Sequence, residues 1–191
     1  MLNKDDIIKI FSDTKAMLTG HFLLTSGRHS NQYFQCAQVL QYPRHCETLC
    51  KELAGRFKDL GIETVVGPAV GGITVSYEMA RILGARSLFT ERENGSMILR
   101  RGFNVRPGEK VLVVEDVITT GGSVKEVIDL IRNAGAEVVG AGVLVDRSNG
   151  QVDLGVPTEA LLVTSVVSYN PEECPLCKEG IPVVKPGSRK I

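Results

Sequence analysis

Near the start of the chain, Ile7, Ile8 and Phe11 fall on one face of a helical wheel, and Asn3 stands where an N-cap belongs. The spacing predicts a helix over residues 4–18. The stretch HFLLTSGRHSNQYFQC that follows sets two short apolar runs around a polar, glycine-containing turn, the pattern of a β-hairpin. From Pro43 to Leu60 the helical period returns. Cys46, Leu49, Cys50, Leu53, Phe57 and Leu60 form one stripe, with Gly61 as the stop. Beyond Gly61 the chain alternates. Compact apolar runs at ETVVG, RSLFT, KVLVVE, EVVGAGVLV and LLVTSVV are separated by helical patterns over about 72–84 and 121–135. Val124, Val127, Ile128 and Ile131 supply the buried stripe of the second helix. Short strands of this apolar character, interleaved with helices, predict a parallel sheet covered on both faces. The fold class is α/β, a parallel β-sheet flanked by helices, with α+β additions at the ends.

One stretch departs from this economy. Between two predicted strands, where a helix is expected, runs ERENGSMILRRGFNVRPGE, from Glu91 to Glu109. A long polar connection in a compact domain marks a functional loop or a disordered one, and a solvated β-hairpin is the structural alternative.

Composition narrows the function classes. A chain of 191 residues, 43% hydrophobic and 23% charged, suits one globular domain with a full core. Its 22 basic and 22 acidic residues cancel, which argues against a general nucleic-acid binder. No apolar run reaches the ~20 residues of a membrane span, and the start MLNKDDIIKIF does not read as a signal peptide. The expectation is a cytoplasmic protein with no membrane partner and five reduced cysteines.

The segment that carries chemistry is VLVVEDVITTGGS, Val111 to Ser123. An apolar strand ends on two adjacent acids, Glu115 and Asp116, and in open α/β sheets ligands bind beyond the carboxyl ends of strands. Two carboxylates there need hydroxyls, a cation or solvent, and a ribose diol with a metal nearby meets that need. The run Thr119-Thr120-Gly121-Gly122-Ser123 then enters a helix. Glycines let backbone N–H groups converge, the hydroxyls add donors, and the helix N-terminus adds positive potential, which together make a cradle for a phosphate monoester. No lysine follows the glycines, so this is not the nucleoside-triphosphate loop, nor does it match GxGxxG.

This stretch closely resembles the phosphoribosyl-diphosphate motif of the type I phosphoribosyltransferases. Within that superfamily the chain resembles the orotate phosphoribosyltransferases over nearly its whole length. GHFLLTSGRHSNQY is similar to their N-terminal substrate segment, VVGPAVGGI to their diphosphate loop, and FTERENGSMILRRGF to their mobile catalytic loop. LVDRSNG sets Arg147 where that family has a base-binding arginine, and CPLCKEGIPVVKPGSRK resembles the tail of one bacterial and archaeal branch. The resemblance implies a single domain, residues 1–191, with a core at about 43–170 under a small hood from about 1–42 and 171–191. It implies transfer of the phosphoribosyl group of 5-phosphoribosyl 1-diphosphate to orotate, with Mg²⁺ as cofactor and a homodimer as the working unit. It assigns Glu115, Asp116, Val117, Ile118, Thr119, Thr120, Gly121, Gly122 and Ser123 to phosphoribosyl diphosphate, with Arg92 reaching the diphosphate from the loop. Asp116, Glu115 and Arg92 are the implied catalytic residues, and Thr119 and Arg147 face orotate. Better-known members carry lysine in place of Thr25, a Tyr-Lys pair in place of Val70-Gly71, and lysine and histidine in the loop, where this chain offers Arg92, Arg100 and Arg101. The alternative on the same fold is a purine or uracil phosphoribosyltransferase. A regulator that retains the phosphoribosyl site would need an added nucleic-acid-binding element, and the sequence offers none.

The remaining chemistry-bearing residues read as structural. His21, His29 and His45 show no metal or triad spacing. Cys174-Pro175-Leu176-Cys177 is a lone CxxC, whereas a zinc site wants a second pair or histidines, so no protein-held metal is expected.

Overall fold

The computed structural model describes residues 2–24, 26–164 and 167–186. Thr25, two residues of the LLVTSVV run and the 187–190 portion of the tail lie outside the described residues. Helix α1, Lys4–Asp13, opens under a capping box. The Asn3 side chain accepts from the Asp6 N–H at 2.9 Å, and the Asp6 carboxylate accepts from the Asn3 N–H at 3.1 Å. The helix stops short of residue 18. The Thr14 hydroxyl donates to the Ile10 carbonyl at 2.7 Å and Lys15 adopts φ 55°, which turns Met17 and Leu18 into a strand. Ile7 and Phe11 join Leu49 and Leu53 in the main core, so α1 is seated on the core.

Strands β1, Met17–Leu23, and β2, His29–Phe34, form the expected hairpin. A short α2, Ala37–Leu40, leads into α3, Pro43–Ala54, whose stripe Cys46, Leu49, Cys50 and Leu53 is buried as the spacing predicts. Residues 55–60 turn rather than continue the helix, although Phe57 stays buried.

The remaining core elements are β3 Thr64–Pro68, α4 Gly71–Leu83, β4 Arg86–Glu93, β5 Ser96–Leu99, β6 Lys110–Ile118, α5 Gly122–Asn133, β7 Glu137–Asp146 and β8 Thr158–Val163. They build a six-stranded sheet in the order β5-β4-β3-β6-β7-β8, parallel except for the β4–β5 hairpin. Along β6 successive side chains serve opposite faces. Leu112 and Val114 join the core under α3 and α4, while Val111 and Val113 join the one under α5. Both faces are covered, which is why the strands read as unbroken apolar runs. The order reverses between β3 and β6, and a crevice opens beyond the carboxyl ends of strands at such a switch point.

The Glu91–Glu109 stretch is not an open polar loop. Strand β4 continues to Glu93, Asn94 and Gly95 turn the chain at φ 50° and 87°, and β5 returns antiparallel. Its charges find partners: Arg101 with Glu91 at 2.8 Å, Arg92 with Glu126 of α5 at 2.9 Å, and Arg100 with Glu93 at 3.5 Å. Phe103 packs edge-on against Phe89. The sequence left loop and hairpin open, because the short apolar run of Met97, Ile98 and Leu99 stands among charged residues.

The LLVTSVV run also divides. Its first part closes β8, and beyond the run β9, Ser168–Tyr169, pairs with β2 instead. The resulting small sheet, β1-β2-β9, is a hood built from N- and C-terminal segments. After β9 come a single 3-10 turn and α6, Pro175–Lys178. The chain then returns alongside β1, where the Val184 N–H donates to the His21 carbonyl at 2.8 Å and the Leu23 N–H donates to the Val184 carbonyl at 2.9 Å. Among the described residues no helix is long and apolar enough to cross a membrane.

Candidate active site

The apolar run of β6 delivers Glu115 and Asp116 to the switch point. The Asp116 N–H donates to the Glu115 carboxylate at 3.1 Å and the Val117 N–H to the Asp116 carboxylate at 2.8 Å. Burial pushes both carboxyls above their ordinary values, and the neighbouring Asp116 raises Glu115 further. Two acids held this way favour a partner that brings hydroxyls or positive charge. The glycines of VVGPAVGGI let the β3–α4 turn press against them. A Cβ on Gly71 would lie 2.4 Å from an Asp116 carboxylate oxygen, so a side chain at 71 displaces the acid or the turn.

A cavity of about 540 Å³ opens beside this pair. Thr119, Thr120, Gly121, Gly122 and Ser123 form one wall, at the start of α5. Gly121 takes φ 72°, and a Cβ there would also lie 2.6 Å from Val152, so only glycine lets the chain turn into the helix at this point. Thr119 and Thr120 are exposed toward the cavity, and the first turn of α5 carries no side-chain cap, which leaves N–H groups for an anion. Val117 and Ile118 also line it, but the Ile118 side chain is packed with Val124 in the core, so its backbone is what it offers a ligand.

Beside the phosphate turn, at the end of the neighbouring strand, stands Arg147. Buried Asp146 at the end of β7 accepts from the Ser148 N–H at 2.7 Å, the Ser148 hydroxyl at 2.6 Å and the Gly150 N–H at 3.1 Å, which folds DRSNG into a tight loop. The Arg147 N–H donates to the Ile118 carbonyl at 2.9 Å, tying this loop to the phosphate turn. The guanidinium lines the cavity, and burial holds its pKa below the ordinary value. Its Nε is buried without a hydrogen-bond partner, and among the described residues it has no carboxylate ion pair.

The hood completes the cavity with Tyr33 and Gln35 from the end of β2, and with Lys185 from the returning tail. Sequence reasoning reached Tyr33 only as the end of a segment similar to the family's substrate segment, and passed over Gln35, Lys185 and Asp146. The Asp-x-Ser turn was the one available signal, whereas Lys185 reaches the site only through the tail's pairing with β1. Arg92 is not among the cavity residues of its own chain, since it pairs with Glu126 and with the Gly95 carbonyl. Cys36 lies beside the Asp116 backbone, with its thiol 3.8 Å from the carbonyl, and burial pushes that thiol up. It does not approach Cys174 and Cys177. Those two instead meet His21 and His29, so the second ligand pair missing from the sequence spacing comes from the hairpin.

Residues 36–156 match the family model of the phosphoribosyl transferase domain. An orotate phosphoribosyltransferase of Pelotomaculum thermopropionicum is 69% identical over 190 residues, covering all of both chains. One from Desulforamulus reducens is 67% identical with the same coverage. The crystal structure of orotate phosphoribosyltransferase from Aeropyrum pernix superposes with a TM-score of 0.70 at 28% identity, over 82% of this chain and 93% of that one. The structural likeness fixes the superfamily, and identity near two-thirds from end to end fixes the branch: the chain belongs to the orotate phosphoribosyltransferase family.

Proposed function

We propose that this protein transfers the phosphoribosyl group of 5-phosphoribosyl 1-diphosphate to orotate, giving orotidine 5′-phosphate and diphosphate in de novo pyrimidine biosynthesis. Arg147 carries the reading. A desolvated guanidinium with an unpartnered Nε, lining one cavity with a phosphate cradle, calls for a carboxylate-bearing co-substrate. Orotate has that carboxylate, whereas uracil and the purine bases do not.

In this reading the N–H groups and hydroxyls of residues 119–123 hold the 5-phosphate, and Asp116 and Glu115 accept from the ribose hydroxyls. The Gly71 turn lies where diphosphate leaves, and Thr119 and Arg147 orient orotate. The C1–O bond breaks with its electron pair going to diphosphate, and a ring nitrogen of orotate forms the new C–N bond. That nitrogen gives up its proton to solvent, being acidic enough to need no strong side-chain base. Buried oxygen donors such as Glu115 and Asp116 suit Mg²⁺ and its hydroxyl ligands, and when bound the ion would neutralise charge on the departing diphosphate. The chain folds as one domain and acts in the cytoplasm, with no nucleic-acid partner. We further infer a homodimer in which each β4–β5 hairpin serves the neighbour's cavity, because Arg92 lies away from its own.

The test is a spectrophotometric assay with phosphoribosyl diphosphate, Mg²⁺ and each base in turn. Consumption of orotate, with little use of uracil, adenine or hypoxanthine, is expected. A purine as the better substrate would overturn the assignment.

A further inference from the structure

Away from the cavity, the hood gathers four side chains from three separate segments. His21 comes from β1, His29 from β2, and Cys174 and Cys177 from the start and interior of α6. Their ligand atoms all lie within 4.8 Å of one another, and three of the four residues are buried. We propose that this cluster is a structural zinc site of Cys₂His₂ composition that fastens the C-terminal tail to the N-terminal hairpin.

The spacing fits the ion. Zn–N bonds of about 2.0 Å and Zn–S bonds of about 2.3 Å in a tetrahedron set N and S ligand atoms about 3.6 Å apart. His21 Nε2 lies 3.5 Å from the Cys174 sulfur and 3.7 Å from that of Cys177, and His29 Nδ1 lies 3.3 Å from the Cys177 sulfur. The two ring nitrogens are 2.8 Å apart, hydrogen-bonded to each other, and need to open to about 3.3 Å around an ion. His21 is oriented for the role. With the proton on Nδ1, it donates to the Ile181 carbonyl at 2.6 Å, which leaves the Nε2 lone pair facing the cluster. Two thiolates balance a divalent cation, so the loaded site is neutral and tolerates burial. Binding would release the two thiol protons and replace the histidine–histidine hydrogen bond. Mixed sulfur and nitrogen donors in a tetrahedron select zinc over magnesium or calcium.

The site has a consequence for the cavity. Between the cluster and Lys185 the tail passes Ile181, which holds His21, and Val184, which bonds on both sides of Phe22. Zinc would anchor the segment that carries Lys185 to the cavity wall.

The test uses the full chain, produced with zinc in the medium, purified under reducing conditions without chelator, and reconstituted with zinc before elemental analysis. About one zinc per chain is expected, falling below about a tenth in Cys174→Ser and Cys177→Ser. Cys177 is exposed, so its variant should fold, as circular dichroism can check. Cobalt substitution should give thiolate charge-transfer and intense tetrahedral d–d bands in the wild type, both lost in the variants. Chelation should speed proteolysis of the tail after residue 171. Wild-type protein that stays below about a tenth of a zinc per chain after reconstitution, or a folded Cys177→Ser variant with full zinc, would overturn the site.

Discussion

Replacing Arg147 with methionine separates binding from stability, because the two effects should have opposite signs. Methionine keeps an unbranched apolar stem that reaches about as far as Nε, and removes the rest of the guanidinium with its charge. In the free protein the guanidinium Nε is buried with no partner, a situation that costs about 1–3 kcal/mol, and burial already disfavours the charged form. Arg147→Met should therefore leave stability unchanged or raise it by about 1 kcal/mol, a rise of about 2–4 °C in Tm for a chain of this size. With orotate bound, the same guanidinium would hold a carboxylate through charge-assisted hydrogen bonds contributing about 1.5–3 kcal/mol, so its loss should raise the KM for orotate about 10- to 100-fold. The KM for phosphoribosyl diphosphate should change much less, since the residue 119–123 turn is untouched. Thermal melts and initial rates with each substrate varied are sufficient. A Tm lowered by several degrees, or an unchanged KM for orotate, would show that Arg147 supports the fold or another ligand.

Two further perturbations test the frame around that residue. Gly71→Ala sets a methyl 2.4 Å from the Asp116 carboxylate and should lower kcat/KM at least about tenfold for about 1–3 kcal/mol of strain, read by kinetics beside a denaturant titration. Full activity would place the acid outside the chemistry. Glu109 tests acid stability: burial raises its pKa, but bonds from the Thr64 hydroxyl, the Arg106 N–H and Arg86 outweigh that and lower it from 4.5 to about 2. Because the folded state prefers the ionised form, this stabilisation is complete above pH 4.5 and is lost as pH falls toward about 2. It amounts to about 2 kcal/mol after screening at the exposed arginines, and Glu109→Gln should flatten the fall of stability with pH across that window.

The parallel sheet was legible because β3, β6 and β7 are buried on both faces, where apolar residues predominate and a polar one needs a partner, as Thr64 has in Glu109. The phosphate turn was legible for a local reason: strand, acid pair, glycines and helix stand in one continuous run. Arg147 was found by resemblance, while the hydrogen bonds of Asp146 that hold its loop needed coordinates. What stayed hidden depended on distant pairing. The β4–β5 hairpin could not be told from a charged loop in the sequence, because its ion pairs join Arg92 to a helix more than thirty residues away. Lys185 and the His21, His29, Cys174 and Cys177 cluster depend on the chain's last segment returning to β1, and spacing cannot encode a contact between residues about 150 positions apart.

The place of Arg92 yields the sharpest test of the assembled enzyme. In its own chain Arg92 pairs with Glu126 outside the cavity, yet the departing diphosphate needs positive charge, and among the described residues the cavity wall supplies it only from Arg147 and Lys185. If the hairpin of one chain serves its neighbour, Arg92→Ala and Asp116→Asn are each inactive as homodimers for different reasons. A heterodimer of the two keeps one complete site, in which the Arg92→Ala chain contributes Asp116 and its partner contributes the arginine. Its other site lacks both groups. Equal amounts unfolded and refolded together give heterodimers as half of the population, so activity should return to about a quarter of the wild-type value. Light scattering should report a dimer throughout. An arginine that acts within its own chain gives no recovery at any mixing ratio, and a monomer excludes the arrangement outright.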